Sequence, residues 1–72
     1  MDHTARQAIE AILEGGPQDL PQEQRRRRTP LGADKIKVLH CGGYEHYERV
    51  GPSATEPAAV VYRWTTRTRV AE

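Results

Sequence analysis

The stretch Val60–Val70 alternates between two kinds of side chain, and this pattern constrains the fold more than any other feature. One set of alternate positions is mainly apolar or aromatic and includes Tyr62 and Trp64. The positions between them are mainly basic and include Arg63 and Arg67. Because successive side chains of a strand point to opposite faces of a sheet, this alternation predicts a half-buried antiparallel strand.

Two earlier segments have strand patterns and are joined by a turn signal. Lys35–His40 alternates apolar and basic residues, and Tyr44–Val50 has the composition of a partner strand. Between them, Cys41-Gly42-Gly43 places adjacent glycines where a tight hairpin needs positive φ angles. Residues 51–59 are rich in small residues and proline, which predicts a surface loop before the last strand.

The first fourteen residues predict an amphipathic helix. Their apolar side chains recur at helical spacing, at Ala5, Ala8, Ile9, Ile12 and Leu13. Two glycines and a proline at 15–17 would end this helix. A short strand at Ala11–Glu14 is the alternative. Residues 15–34 are punctuated by glycine and proline and are predicted to be loop-rich, with Arg25–Thr29 as a short extended segment.

These elements predict one α+β domain over residues 1–72. It would have two layers, with the N-terminal helix (1–14) packed on a three- to four-stranded antiparallel sheet (35–70). The expected core is Ile9, Ile12, Leu13, Ile36, Val38, Tyr62, Trp64 and Val70, with Tyr44 at its margin. Only 36% of the residues are apolar, so this core is small and a homodimer is a fair expectation.

The composition indicates the cellular compartment in which the protein works. A single cysteine excludes an internal disulfide framework and indicates either a reducing compartment or an absence of selection for oxidation. No apolar stretch approaches the roughly 18–20 residues of a membrane span, and no signal-peptide pattern is present. We therefore expect a cytoplasmic protein with no membrane partner.

Charge is distributed unevenly along the chain. Residues 1–24 carry one basic and five acidic side chains, and residues 25–72 carry ten basic and five acidic ones. The two parts therefore have net charges of −4 and +5. A basic surface that meets an acidic partner is one interpretation, and neutralisation of the basic part by the acidic start is the other. The candidate binding residues are Arg25, Arg26, Arg27, Arg28, Arg63, Arg67 and Arg69, with Lys35 and Lys37 on the same predicted face.

His40, Cys41 and His46 are the residues whose types would suit reactive or metal chemistry. A thiol next to an imidazole can form a nucleophile, and nitrogen and sulfur ligands suit Zn²⁺. No known zinc spacing is present and a fourth ligand is missing, so we expect no catalytic residue, metal or cofactor. Glu45 or Glu48 is expected to pair across strands with Lys35, Lys37 or an arginine of the last strand. The alternative is that Tyr44 and His46 bind a ligand and one of these glutamates accepts a proton.

Several motifs resemble those of a family of short actinomycete proteins with no assigned function, often encoded near specialised-metabolite gene clusters. The likeness covers most of the chain from residue 12 onward, with Tyr47 at a position where phenylalanine is usual and an unusually basic run at 25–28. It is carried by Gly15-Gly16-Pro17, Leu20-Pro21, Gly42-Gly43-Tyr44-Glu45-His46-Tyr47-Glu48, Trp64, Arg67-Thr68 and Val70-Ala71-Glu72. The resemblance implies a bacterial cytoplasmic origin and no particular activity.

The sequence thus favours a small non-enzymatic accessory or regulatory protein that recognises an acidic protein partner through its basic sheet face. Nucleic-acid binding by the same surface is the alternative, although a pI of about 8.0 is lower than nucleic-acid domains usually have. A small enzyme or metal-binding protein working through the histidines and the cysteine is the third hypothesis.

Overall fold

The computed structural model describes residues 8–69, which form five β-strands and one 3₁₀ turn at Gln22–Gln24. The strands are β1 (Ala8–Glu14), β2 (Arg26–Pro30), β3 (Lys35–His40), β4 (Gly43–Pro52) and β5 (Ala59–Arg69). Strands account for 63% of these residues, and no α-helix is present among them. The predicted α+β class is therefore wrong, because the described chain is nearly all β. None of its segments is a helix long and apolar enough to cross a membrane.

All five strands belong to one sheet, in the order β2-β1-β5-β4-β3. Every neighbouring pair is antiparallel except β1 and β5, which run parallel. The predicted purely antiparallel sheet is thus a mixed one. It curls into a nearly closed barrel, and within residues 8–69 its edge strands are β2 and β3.

The predicted helix over residues 1–14 is wrong for Ala8–Glu14, which form the strand β1. This segment pairs with β2 on one side and with β5 on the other, so two ladders satisfy its backbone. A helix of this length is marginal alone, and tertiary pairing overrides the weak helical preference of its residues. The alternative strand at 11–14 is confirmed and begins three residues earlier. Residues 1–7 lie outside the described part.

The remaining sequence-based elements agree with the structure. The extended segment near Arg25–Thr29 is β2, and the strands predicted in the second half are β3, β4 and β5. The β3–β4 hairpin turns through Cys41 and Gly42, whose φ angles are +48° and +76°. Two positive φ angles define the tight turn that matches the twist of antiparallel strands.

The core lies on the concave side of the sheet. It consists of Ala11, Leu13, Leu20, Ile36, Val38, Tyr47, Ala59 and Tyr62. Four of these were predicted, whereas Ile9, Ile12 and Tyr44 are only partly buried and Val70 lies outside the described residues. The prediction for Trp64 is wrong, because this residue is 37% exposed at the rim of the core.

A β-bulge at Thr65 changes which side chains of β5 face the core. His46 pairs with Thr66, whereas the next residue, Tyr47, pairs with Trp64, so Thr65 is extra. An extra residue shifts all later side chains to the other face. Arg67 therefore lies on the same face as Trp64, not opposite it as strict alternation predicts.

Candidate functional site

The predicted single basic face is divided in the structure. Arg67 and Arg69 lie opposite Glu45 and Gly43 on the concave face, because of the bulge at Thr65. On the convex face, charges alternate in sign across four strands. That row runs Glu14, Arg63, Glu48, Lys35. The expected cross-strand pairing of Glu48 is confirmed, with 4.0 Å between its Oε2 and Lys35 Nζ. This part of the convex face is therefore electrically balanced.

Arg25 is committed to holding the loop that follows β1. Its side chain donates hydrogen bonds to the carbonyl oxygens of Leu13, Gly15, Pro17 and Leu20, at 2.5 to 3.4 Å. Four carbonyl groups that point into one loop are satisfied by a single guanidinium. Arg25 thus has a structural role and offers few donors to a partner.

Arg26 is paired with two carboxylates on the surface. Its guanidinium contacts Glu56 at 2.5 Å and Glu10 at 2.7 Å. The hydrogen bond to Arg26 lowers the pKa of Glu56, and the two glutamates, Glu56 first, raise the pKa of Arg26. These pairs fasten β2 to β1 and to the loop before β5.

The two edge strands carry basic side chains and no acidic one. In β2 these are Arg26, Arg27 and Arg28, and in β3 they are Lys35 and Lys37. Arg28 makes one long hydrogen bond of 3.4 Å to Ala8 O. Within residues 8–69, no side-chain hydrogen bond or ion pair engages Arg27. The basic surface at this side of the protein therefore follows the edges of the sheet.

Each edge strand also has backbone groups that face away from the sheet. Arg49 N–H donates to Asp34 O at 2.8 Å, and hydrogen-bonded pairs alternate along an antiparallel ladder. The backbone groups of Lys35, Lys37 and Leu39 therefore point to the free edge of β3. In β2, the hydrogen bond from Leu13 N–H to Arg25 O fixes the same alternation. The backbone groups of residues 26 and 28 therefore point to the free edge of β2.

A cleft of about 400 Å³ lies between the two edges. Its lining comes from the 3₁₀ turn, β2 and β3, and includes Glu23, Gln24, Arg27, Val38 and Leu39. Leu39 is 61% exposed and contributes apolar surface to the cleft. The cleft lies where the barrel does not close among the described residues, and it combines apolar side chains with the guanidinium of Arg27 and the carboxylate of Glu23.

A buried ion pair lies at the end of the concave face where the β3–β4 hairpin turns. Glu45 is 2% exposed and accepts hydrogen bonds from Trp64 Nε1, at 2.8 Å, and from Arg67 Nη1. Burial alone would raise the pKa of Glu45. The hydrogen bonds from Trp64 and Arg67 outweigh that effect, and its pKa is lowered. The predicted cross-strand pairing of Glu45 is confirmed, with Arg67 as its partner.

Arg67 also holds the hairpin turn. It donates to His40 O at 3.1 Å and to Cys41 O at 2.7 Å. A side chain at residue 43 would come within 2.9 Å of this guanidinium, so Gly43 leaves the space that it needs. Arg67 therefore links the buried carboxylate of Glu45 to the backbone of the turn.

His40 and Cys41 do meet, but His46 does not join them. Cys41 Sγ lies 3.5 Å from His40 Nε2, and Asp19 Oδ1 lies 3.1 Å from the same nitrogen. His46 is on the convex face, where its Nε2 lies 2.7 Å from Thr68 Oγ1. Asp19 was not identified from the sequence, because it lies 21 residues from His40 and its position beside the turn depends on the tertiary fold.

Comparison with known proteins identifies a family for the chain but no activity. Neither a curated protein nor a solved structure is significantly similar to it. One family model matches residues 5–72, which is almost the whole sequence. The chain therefore belongs to the family of unknown function DUF5988.

Proposed function

We propose that this protein is a small non-enzymatic binding module that captures an extended acidic segment of a partner protein. The segment would lie in the cleft between β2 and β3 and add a strand along the free edge of β3. The observation that carries this proposal is the basic character of both edges, which together contribute five basic side chains and no acidic one.

Backbone geometry supports β3 as the strand that would receive the segment. A strand added to a sheet edge gains affinity from main-chain hydrogen bonds and specificity from its side chains. Residues 35, 37 and 39 offer free backbone groups on β3. The edge of β2 is less suitable, because Pro30 lacks an N–H group and Arg26 is already paired with two glutamates.

Charge favours an acidic segment over a second copy of this chain. Lysine and arginine on an edge strand also prevent edge-to-edge association of identical chains, since like charges would face one another. The same charges attract glutamate or aspartate. Lys35 and Lys37 share one face of β3 and would contact carboxylates of the segment. The alternate apolar side chains of the segment would point to the other face, toward Val38 in the cleft, and Arg27 would add positive charge beside the segment.

Two further points belong to this proposal. A cytoplasmic location fits an exposed free thiol, since Cys41 would remain reduced there. The proteins that the sequence resembles are often encoded near specialised-metabolite gene clusters, and a module that binds a partner protein would suit an accessory role there.

The experiment that tests the proposal measures the affinity of fluorescently labelled octapeptides by anisotropy. The test peptide alternates glutamate and valine. A second peptide replaces each glutamate with lysine, and a third keeps the glutamates but has a proline at its centre, which cannot continue a ladder. We expect binding of the first peptide alone. Equal binding of the proline peptide would contradict strand addition and would indicate that the peptide is held by charge attraction alone.

Variants locate the binding surface. We expect Lys37→Glu and Arg27→Glu each to weaken binding of the acidic peptide about tenfold, which corresponds to about 1.4 kcal/mol. Arg63→Glu is the charge-matched control, because Arg63 lies on β5, which is not an edge strand. Its melting transition is checked first, since the variant places a third carboxylate between Glu14 and Glu48. An equal loss with Arg63→Glu would contradict the assigned position. Tighter binding of a single-stranded oligonucleotide, with a steep salt dependence, would favour nucleic acid instead.

A further inference from the structure

Three side chains of different chemistry converge at the end of the barrel. Asp19 comes from the loop after β1, His40 is the last residue of β3, and Cys41 is the first residue of the hairpin turn. Their ligand atoms, Asp19 Oδ1, His40 Nε2 and Cys41 Sγ, all lie within 4.8 Å of one another. This convergence is independent of the cleft between the edge strands.

The geometry is unsuited to a nucleophile–base–carboxylate relay. In such a relay, one ring nitrogen of the histidine faces the nucleophile and the other is held by the carboxylate. Here Cys41 Sγ and Asp19 Oδ1 both approach Nε2 of His40, at 3.5 and 3.1 Å. One nitrogen cannot receive the thiol proton while it donates to the carboxylate. A cation shared by the three atoms would satisfy all of them.

The separations are close to those of a tetrahedral zinc site. Bond lengths of about 2.1 Å to nitrogen and oxygen and about 2.3 Å to sulfur give ligand separations of about 3.4 Å for N···O and about 3.6 Å for N···S. The corresponding distances here are 3.1 and 3.5 Å. The oxygen-to-sulfur distance has to close to about 3.6 Å. The side chain of Asp19 is 72% exposed and can rotate to make this adjustment.

The neighbouring charge is compatible with a cation. Arg67 donates to the carbonyl oxygens of both His40 and Cys41, which fixes the backbone of two ligands. Its positive charge would oppose a metal ion nearby. The buried carboxylate of Glu45 is ion-paired with Arg67 and offsets that charge. Arg67 thus positions the ligands without leaving an uncompensated cation beside them.

We infer that Asp19, His40 and Cys41 bind one Zn²⁺ ion, with a fourth coordination position open to solvent. The mixture of a thiolate, an imidazole and a carboxylate selects Zn²⁺ over Mg²⁺ or Ca²⁺, which prefer oxygen ligands alone. Binding releases the thiol proton of Cys41 to solvent. The ion would tie the loop after β1 to the β3–β4 turn, and its open position would accept water or a ligand from a partner.

The test uses the full chain under reducing conditions, with Co²⁺ as a spectroscopic probe and Zn²⁺ as its competitor. We expect one Co²⁺ per chain, a thiolate-to-cobalt charge-transfer band, and displacement of Co²⁺ by an equal amount of Zn²⁺. Cys41→Ser should abolish the band. Asp19→Asn should weaken zinc binding at least tenfold, as measured by competition with a chromophoric chelator.

His40→Gln and His46→Gln form the matched pair. We expect the first to weaken zinc binding at least as much as Asp19→Asn and the second to leave it unchanged. Each variant is first checked for a cooperative melting transition, and Asp19→Asn and Cys41→Ser alter exposed side chains, so their folding should be unaffected. Absence of the charge-transfer band in the unmodified protein, an unchanged affinity in Asp19→Asn, or equal losses in the two histidine variants would overturn the inference. None of these results depends on peptide binding.

Discussion

Replacing Arg67 with methionine removes the cation that neutralises a buried carboxylate. Methionine keeps most of the aliphatic volume of the side chain, so packing changes little, but the two hydrogen bonds to His40 O and Cys41 O are lost together with the charge. Glu45 would retain the hydrogen bond from Trp64 Nε1 but lose its ion pair. Breaking a fully buried ion pair from one side costs about 3–5 kcal/mol.

The expected cost here is smaller, because the side chain of Arg67 is 36% exposed and water can approach Glu45 once the guanidinium is gone. We expect a loss of about 2–3 kcal/mol in the free energy of unfolding at pH 7. For a domain of this size, that corresponds to a decrease of about 10–20 °C in melting temperature. Arg69→Met is the control, since Arg69 lies on the same strand and face and is exposed. It should change stability by less than about 0.5 kcal/mol.

The pH dependence distinguishes this mechanism from a loss of packing. In the unmodified protein the pKa of Glu45 is below its unfolded value, so its contribution is present above about pH 4.5. That contribution is lost as pH falls through the folded pKa. Without Arg67, burial dominates and raises the folded pKa of Glu45. The variant then loses stability as pH rises from the pKa of Glu45 in the unfolded chain to its raised pKa in the folded protein.

Urea unfolding of both proteins at pH 3 and pH 7 measures this difference. We expect the destabilisation caused by Arg67→Met to be clearly larger at pH 7, where Glu45 is ionised in the unfolded chain. Adding Glu45→Gln to Arg67→Met should recover part of the loss at pH 7, because a neutral amide can still accept from Trp64. An equal destabilisation at both pH values would refute the electrostatic explanation.

Three further predictions concern the turns and the loop after β1. Gly16→Ala should cost at least about 2 kcal/mol in chemical denaturation, because φ is +83° and the new Cβ would lie 2.7 Å from Tyr47 Oη and 2.8 Å from Trp64 Cδ1. Tyr47→Phe should cost about 1 kcal/mol in the same assay, since it removes the 3.1 Å hydrogen bond to Gly15 O. Cys41→Gly should stabilise the metal-free protein by up to about 1 kcal/mol, as measured by melting, because φ is +48° at this position. A decrease in stability in that last variant would show that the thiol contributes without a metal.

The periodicity of the sequence was sufficient to predict the strands β3, β4 and β5 and the hairpin between β3 and β4. It failed at β1, because Ile9, Ala11 and Leu13 are also spaced for a strand, and only pairing with β2 and β5 decides between the two structures. Such pairing depends on contacts between residues distant in the chain. No local pattern in residues 8–14 records them.

The site was harder to predict than the strands. No alternation pattern in the sequence indicates the bulge at Thr65. Strict alternation predicts Arg67 and Trp64 on opposite faces of the sheet, whereas the bulge puts them on the same face. His40 and Cys41 were found because they are adjacent. Asp19 was missed because no local pattern links its loop to His40, which is 21 residues away, and only the tertiary fold brings Asp19 Oδ1 to His40 Nε2.

The most direct test of strand addition is amide hydrogen exchange measured by NMR with and without the alternating acidic peptide. At the free edges the amides to follow are those of Arg26, Arg28, Lys35, Lys37 and Leu39. We predict that the peptide slows exchange at residues 35, 37 and 39 by at least tenfold, and that the amides of Arg63 and Thr65 are unaffected. Peptide binding with no added protection along β3 would contradict it.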